Sequence, residues 1–300
     1  MLKIGSRGSQ LALWQARWVR QRLEVLGHAC RVEIIKTTGD KITDVPLARV
    51  GAKGLFTKEI EEALQDGCID LAVHSLKDLP TELPHGLFLA AIPEREDARD
   101  ALVGCRLEEL PQGAKVGTSS LRRLAQLRAL RPDLNIEPVR GNLDTRLRKL
   151  AEGQYDALVL AAAGLKRLGW ADRIAECLPV ETMCPAVGQG ALAIETRQDG
   201  GAAEQACRGL DHTETRAAVV AERAVLATLG GGCQVPIGAH ARIQDQQLRL
   251  LAVVFSPDGS RMVRRHASGW PAEAHQLGDE LGKELLAAGA REILEAVYGP

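Results

Sequence analysis

The segment "IDLAVHSLKD" (69–78) is apolar from Leu71 to Val73 and turns polar at His74, Ser75, Lys77 and Asp78. A short apolar run of that kind reads as a strand buried on both faces, inside a sheet covered by helices. Before it, "LKIGSR" (2–7) and "CRVEIIKTT" (30–38) also read as strands. Between them, "SQLALWQARWVRQRLEVLG" (9–27) and "TKEIEEALQDG" (57–67) have helical spacing and end on Gly27 and Gly67. The βαβα order predicts an α/β fold with a mostly parallel sheet. Ligands of open α/β sheets bind beyond the carboxyl ends of the strands. Alternation along the strand puts Ser75 and Lys77 on one face and His74 and Asp78 on the other, unless the strand ends by residue 77.

A second βα series runs from "DALVG" near residue 100 to "YDALVLAAAGLKRLG". The charged stretch "AIPEREDARD" (91–100) reads as a crossing between domains, and "CPAVGQGALAIETR" (184–197) as a strand that could return the chain to the first sheet. Beyond residue 212 the pattern changes to a helix, a hairpin around Ser256-Pro257-Asp258-Gly259, and a glycine-interrupted helical end. The expected division is a discontinuous first lobe (1–95 and 190–208), an arginine-rich second lobe (99–187) and a smaller α+β domain (212–300).

The totals narrow the function. With 300 residues, 45% hydrophobic, 26% charged and a net charge of -1, the chain is an ordinary globular protein with no overall charge suited to nucleic acid or a membrane surface. Aromatic residues are only 3%, too few for base-stacking platforms. No signal peptide or membrane-spanning run is visible. The seven cysteines are odd in number and form no C-x-x-C pair, so a reducing cytoplasm is expected and no metal site.

Three stretches carry chemistry. Residues 115–149 hold nine basic side chains, opposed only by Asp133, Glu137 and Asp144. Arg128, Arg131, Arg148 and Lys149 read as solvated helix faces. Arg122 and Arg123 in "VGTSSLRR" (116–123), Arg140 and Arg146 in "VRGNLDTR" (139–146), and Arg7 in "GSRGS" stand instead at strand-to-helix junctions, where guanidinium groups grip carboxylates or phosphates. Asp78 either caps the turn at Pro80 or serves as a carboxylate for a cation or a proton. Cys233, in "GGGCQVPIG" (230–238), either sits in a tight structural turn or offers its sulfur to something bulky, because the preceding glycines leave its surroundings bare. "RVGAKGLFTKEIE" (49–61), with Lys53 and Lys58, is not a phosphate-binding P-loop and reads as a mobile loop at a cleft mouth.

Taken in order, "IGSRGSQLALWQA", "VGAKGLFTKEIE", "DLAVHSLKDLP", "VGTSSLRR", "RGNLDTRL", "AAAGLKRLG", "PAVGQGALAIE" and "GGCQVPIG" resemble the porphobilinogen deaminase (hydroxymethylbilane synthase) family over nearly the whole chain. The resemblance implies two periplasmic-binding-protein-like α/β lobes around a cleft plus the C-terminal domain. It implies a cytoplasmic monomeric transferase of porphyrin and heme biosynthesis, with no nucleic-acid or membrane partner. A dipyrromethane cofactor would be held on Cys233 by a thioether. Four porphobilinogen molecules would be added to it with loss of ammonia, and hydrolysis would release 1-hydroxymethylbilane. Motif by motif, Ser75, Lys77, Thr118, Ser120, Arg122 and Arg123 would hold cofactor carboxylates. Arg7, Arg140, Arg146 and Arg167 would hold the substrate and growing chain, and Asp78 would be catalytic. Ala98 stands where many members have proline, and Gly230 where a longer side chain is common. The rival readings are a two-lobed anion-binding protein without catalysis and a nucleic-acid protein using the arginine cluster.

Overall fold

The computed structural model describes residues 1–41, 55–230 and 235–298. Cys233, its neighbours Gly231 and Gly232, and Lys53 lie outside the described residues. The chain divides into two compact units, Met1–Glu96 with Ala191–Arg216, and Asp97–Gly190 with Ala217–Pro300.

The first unit opens with β1 (Leu2–Ser6), α1 (Gln10–Val25), β2 (Cys30–Ile34), α2 (Thr38–Lys41), α3 (Lys58–Gln65), β3 (Leu71–Ser75) and β4 (Leu87–Ala91). The second contains β5 (Asp100–Val103), β6 (Lys115–Gly117), α4 (Leu121–Leu130), β7 (Asn135–Glu137), α5 (Leu143–Ala151), β8 (Ala157–Ala161), α6 (Ala162–Arg167) and β9 (Ile174–Cys177). The chain then supplies β10 (Leu192–Arg197) and α7 (Ala202–Cys207) to the first unit. It ends with α8 (Thr213–Thr228), β11 (Ile237–Gln244), β12 (Gln247–Phe255), β13 (Met262–Gly269), α9 (Ala274–Leu285) and α10 (Arg291–Tyr298).

The two five-stranded sheets share one plan. Their orders are β2-β1-β3-β10-β4 and β7-β6-β8-β5-β9. In each, the first three strands are parallel and the fourth is antiparallel to both of its neighbours. The sheets are mostly parallel, as expected, with one reversed strand in each. The reason is connectivity: β5 and β10 follow the two chain crossings rather than a crossover helix, so nothing obliges them to run with the βαβ strands.

Local chemistry explains the elements. Ser9 caps α1, accepting from Ala12 N, and Val19 and Leu23 pack with Ile4, Leu71 and Ile194 in a mainly aliphatic core. Gly27 and Gly67, at φ of 88° and 69°, let the chain turn after α1 and α3. Gly230 lies in the same left-handed region, at 64°, with open space where a Cβ would stand. This accounts for glycine where the family often has a larger side chain.

The hairpin is as expected: β12 and β13 pair antiparallel around the Ser256–Ser260 turn, and β11 completes a three-stranded sheet. One face of that sheet, through Leu248, Leu250, Ala252 and Val254, packs on Ala221, Val225, Leu281 and Leu285. Its other face, through Leu251, Val253 and Phe255, packs on Ala125 and Cys184.

Candidate active site

The residues singled out by sequence sit just past the carboxyl ends of the parallel strands. In the first unit, Arg7 follows β1 and Ser75 ends β3. The strand stops there. Leu76–Asp78 form a single 3-10 turn, and Leu79 is extended, as a residue before proline must be. The exception for a strand that ends by residue 77 therefore applies, and Asp78 does not alternate away from Ser75: both line one pocket with His74, Arg7, Gln15 and Phe56. The pocket has a volume of about 80 Å³, well above the roughly 10–15 Å³ that admits one water.

Inside that pocket each side chain has a support. Gln15 of α1 donates from Nε2 to Ser75 Oγ at 2.9 Å. The Arg7 guanidinium stacks over Phe56, 4.0 Å from the ring centroid. Asp78 is exposed, and its carboxylate makes no hydrogen bond or ion pair among the described residues. Sequence reasoning missed Gln15 and Phe56. The former is a polar residue on an otherwise apolar helix face, and that mismatch was the available signal.

In the second unit, the turn after β6 carries Thr118, which is buried, and Ser120, the N-terminal cap residue of α4. Arg122 and Arg123 begin α4 and are 4% and 7% exposed. Both are committed to Asp100, the first residue of β5 and completely buried. Arg122 Nη1 donates to Asp100 Oδ2 at 2.6 Å and to the Cys184 carbonyl at 2.5 Å. Arg123 donates through Nε and Nη2 to Asp100 Oδ1, at 2.9 and 2.7 Å, and through Nη1 to the Val159 carbonyl at 3.0 Å. Gln189 Nε2 adds a bond to the same carboxylate at 2.8 Å. Burial alone would push Asp100 up. The two guanidinium charges and their hydrogen bonds outweigh it and hold the carboxyl well below the usual carboxylate range. Asp100 was missed from sequence, although a charged residue opening the apolar strand "DALV" was the sign.

One carboxylate against two guanidinium groups leaves one net positive charge. Arg140 and Arg146, past β7, add to it. Arg146 is half-buried, and its Nε donates to the Gly141 carbonyl at 2.8 Å. Burial first, then the Arg123 and Arg140 charges, push its guanidinium down to about 10. No carboxylate of the described residues pairs with Arg140 or Arg146. Like charges of this kind raise the local positive potential. Arg122 Nε, buried with no hydrogen-bond partner among the described residues, is a further uncommitted donor.

Not every expected residue joins these groups. Arg167, 9% exposed at the end of α6, donates from Nη2 to the Gly190 carbonyl at 2.6 Å. Lys77 does not line the pocket. Of the arginines read as solvated, Arg148 is exposed, whereas Arg131 is tied to Asp133 and to the Leu107 and Leu110 carbonyls.

Comparison with known proteins decides what the arrangement belongs to. Residues 2–205 match the family model of the porphobilinogen deaminase dipyromethane cofactor binding domain, and residues 216–287 that of the porphobilinogen deaminase C-terminal domain. The chain belongs to the porphobilinogen deaminase family. The porphobilinogen deaminase of Syntrophobacter fumaroxidans is 52% identical, with 99% of this chain and 98% of that protein covered. That of Geobacter metallireducens is 54% identical over 99% and 95%. That of Nitratidesulfovibrio vulgaris is 55% identical over 99% and 96%. Among solved structures, a methionine-binding protein aligns at 14% identity, over 70% of this chain and 89% of its own, with a TM-score of 0.45. Membership makes the chain an enzyme of tetrapyrrole synthesis built around a dipyrromethane cofactor, and sets aside the reading as a binding module without catalysis. The donor set fits that group: a polycarboxylate meets Arg140 and Arg146, which pair with no carboxylate of the described residues.

Proposed function

We propose that the chain joins four porphobilinogen molecules head to tail, expelling ammonia at each addition, and releases 1-hydroxymethylbilane by hydrolysis. Cys233 forms the thioether to dipyrromethane, which when bound supplies the free pyrrole end that receives each unit. The three-domain division, with residues 212–300 as the domain carrying that cysteine, goes with this reading. So do a monomeric state, a cytoplasmic location and porphobilinogen as the only partner.

The side chains divide the work. Arg122, Arg123, Ser75, Lys77, Thr118 and Ser120 hold cofactor carboxylates. Asp100 fixes the two arginines, so their charge is set before any ligand arrives and little rearrangement is needed on binding. Arg7, Arg140, Arg146 and Arg167 take the acetate and propionate arms of the substrate and growing chain. Asp78 is open, negative and beside Arg7 and Ser75 in the same pocket. Departure of ammonia leaves a cation on the incoming pyrrole, and a carboxylate at the pyrrole N–H stabilises it.

The observation that carries this reading is the like charge of Arg123, Arg140 and Arg146 acting together, with Arg140 and Arg146 paired to no carboxylate of the described residues. Incubation with porphobilinogen, following ammonia release and uroporphyrin formation, tests it. Asp78→Asn is expected to keep the mass excess of two linked pyrroles on Cys233 while losing most turnover. Near-normal turnover would remove Asp78 from its role.

A further inference from the structure

One group in the Asp78 pocket has no part in the scheme above. His74 lines the pocket, yet its residue is only 6% exposed. Its Nε2 stands 3.0 Å from Oε2 of Glu195, which is completely buried on β10. A buried carboxylate at that nitrogen holds the N–H there, so the lone pair of the neutral ring falls on Nδ1. Nδ1 has no hydrogen-bond partner among the described residues. An imidazole oriented by a carboxylate at one nitrogen, with the other nitrogen open, is the arrangement of a general base.

A second carboxylate backs the pair. Glu61 of α3 is 8% exposed, and both Glu195 and His74 act on it electrostatically. Oε1 of Glu61 and Oε1 of Glu195 are buried without hydrogen-bond partners among the described residues. Two carboxylates buried in one cluster resist double ionisation. Burial pushes Glu61 up, and the Glu195 charge adds to it. Among the described residues, the charged or titratable groups around His74 are Glu195 from β10, Glu61 from α3, and Arg7 and Asp78 at the pocket.

We propose that His74, oriented by Glu195, is the base that collects the proton released as each carbon–carbon bond forms, which leaves Asp78 negative for the next cation. The inference rests on the deaminase reading. In the step, the C–H bond at the receiving pyrrole carbon breaks, its electron pair returns to the ring, and the proton goes to Nδ1. Glu195 holds the resulting imidazolium. The proton then passes to the ammonia expelled from the incoming substrate, which leaves as ammonium, and His74 is neutral again. No oxidant or reductant is needed.

Two measurements test this. The first is ¹⁵N NMR of the histidines in the purified protein, with His74→Gln for assignment. At a pH where the ring is neutral, Nε2 is expected to carry the proton and Nδ1 to be bare, and in Glu195→Gln that preference is expected to be lost. A proton on Nδ1 in the native protein would overturn the proposal whatever the variants do. The second is porphobilinogen consumption across pH. His74→Gln is expected to lower kcat about 100-fold or more with little change in KM, and to lose the acid limb of the pH profile. An unchanged kcat with an unchanged profile sinks the inference alone, since Asp78 and the arginines keep their roles. Failure of the native protein to release ammonia from porphobilinogen sinks the deaminase reading and this inference together.

Discussion

Asp100 shows how a single buried residue can hold two arginines in place. Replacing it with Asn leaves Arg122 and Arg123 buried without their counter-charge. Breaking a buried pair from one side costs about 3–5 kcal/mol, and that loss of unfolding free energy is expected in a urea titration of Asp100→Asn. The carboxyl is held below its ordinary value of 3.8, so its contribution is complete above that pH and is lost as pH falls below it. The stability of Asp100→Asn should accordingly fall less steeply than that of the native protein in that acid range. Arg146 should behave in the opposite way. Its charge is opposed by burial, Arg123 and Arg140, so Arg146→Leu is expected to cost little stability or to gain up to about 1 kcal/mol. The same change should stall chain growth, seen as short covalent intermediates by intact mass. A large loss of stability would show that the guanidinium is structural.

At the scale of elements, close helix packing depends on glycines whose role is invisible until the helices meet. A Cβ on Gly278 of α9 would stand 2.2 Å from the Ala221 carbonyl oxygen and 2.7 Å from the Ala224 Cβ, both on α8. Backbone cannot yield as a flexible side chain can, so Gly278→Ala is expected to cost about 1–3 kcal/mol despite the better helix propensity of alanine. A denaturant midpoint equal to that of the native protein would contradict this. The strand and helix segments themselves were legible, because period and punctuation are local: α1, α3 and the β12–β13 hairpin fall where spacing, terminal glycines and the Ser256–Gly259 turn put them. The end of β3 was not. Alternation continued past Ser75 puts Asp78 on the face opposite Ser75, whereas the 3-10 turn at Leu76–Asp78 lets Asp78 line the same pocket as Ser75.

For the molecule as a whole, cysteine chemistry separates folded from unfolded protein. Burial pushes Cys184 and Cys207 up to about 12. A thiol reagent at neutral pH should therefore leave both unmodified in the native state and label them on unfolding. Mass-mapped labelling of either in the native protein would show that its environment opens. The first unit takes in β10 only after the chain has built most of the second, and its central sheet stays incomplete until residues 192–197 arrive.

The sequence by itself determined the family, the βα order and the strand-end positions of the arginines. Those rest on residue type and short spacing, which need no knowledge of what lies across the fold. Tertiary structure alone decided which charges meet. Asp100 pairs with arginines 22 and 23 positions away, and His74 with a glutamate 121 positions away. Such partners are chosen by sheet order and register, and burial then sets the strength of their attraction, because low-dielectric surroundings magnify whichever charges the fold has placed together.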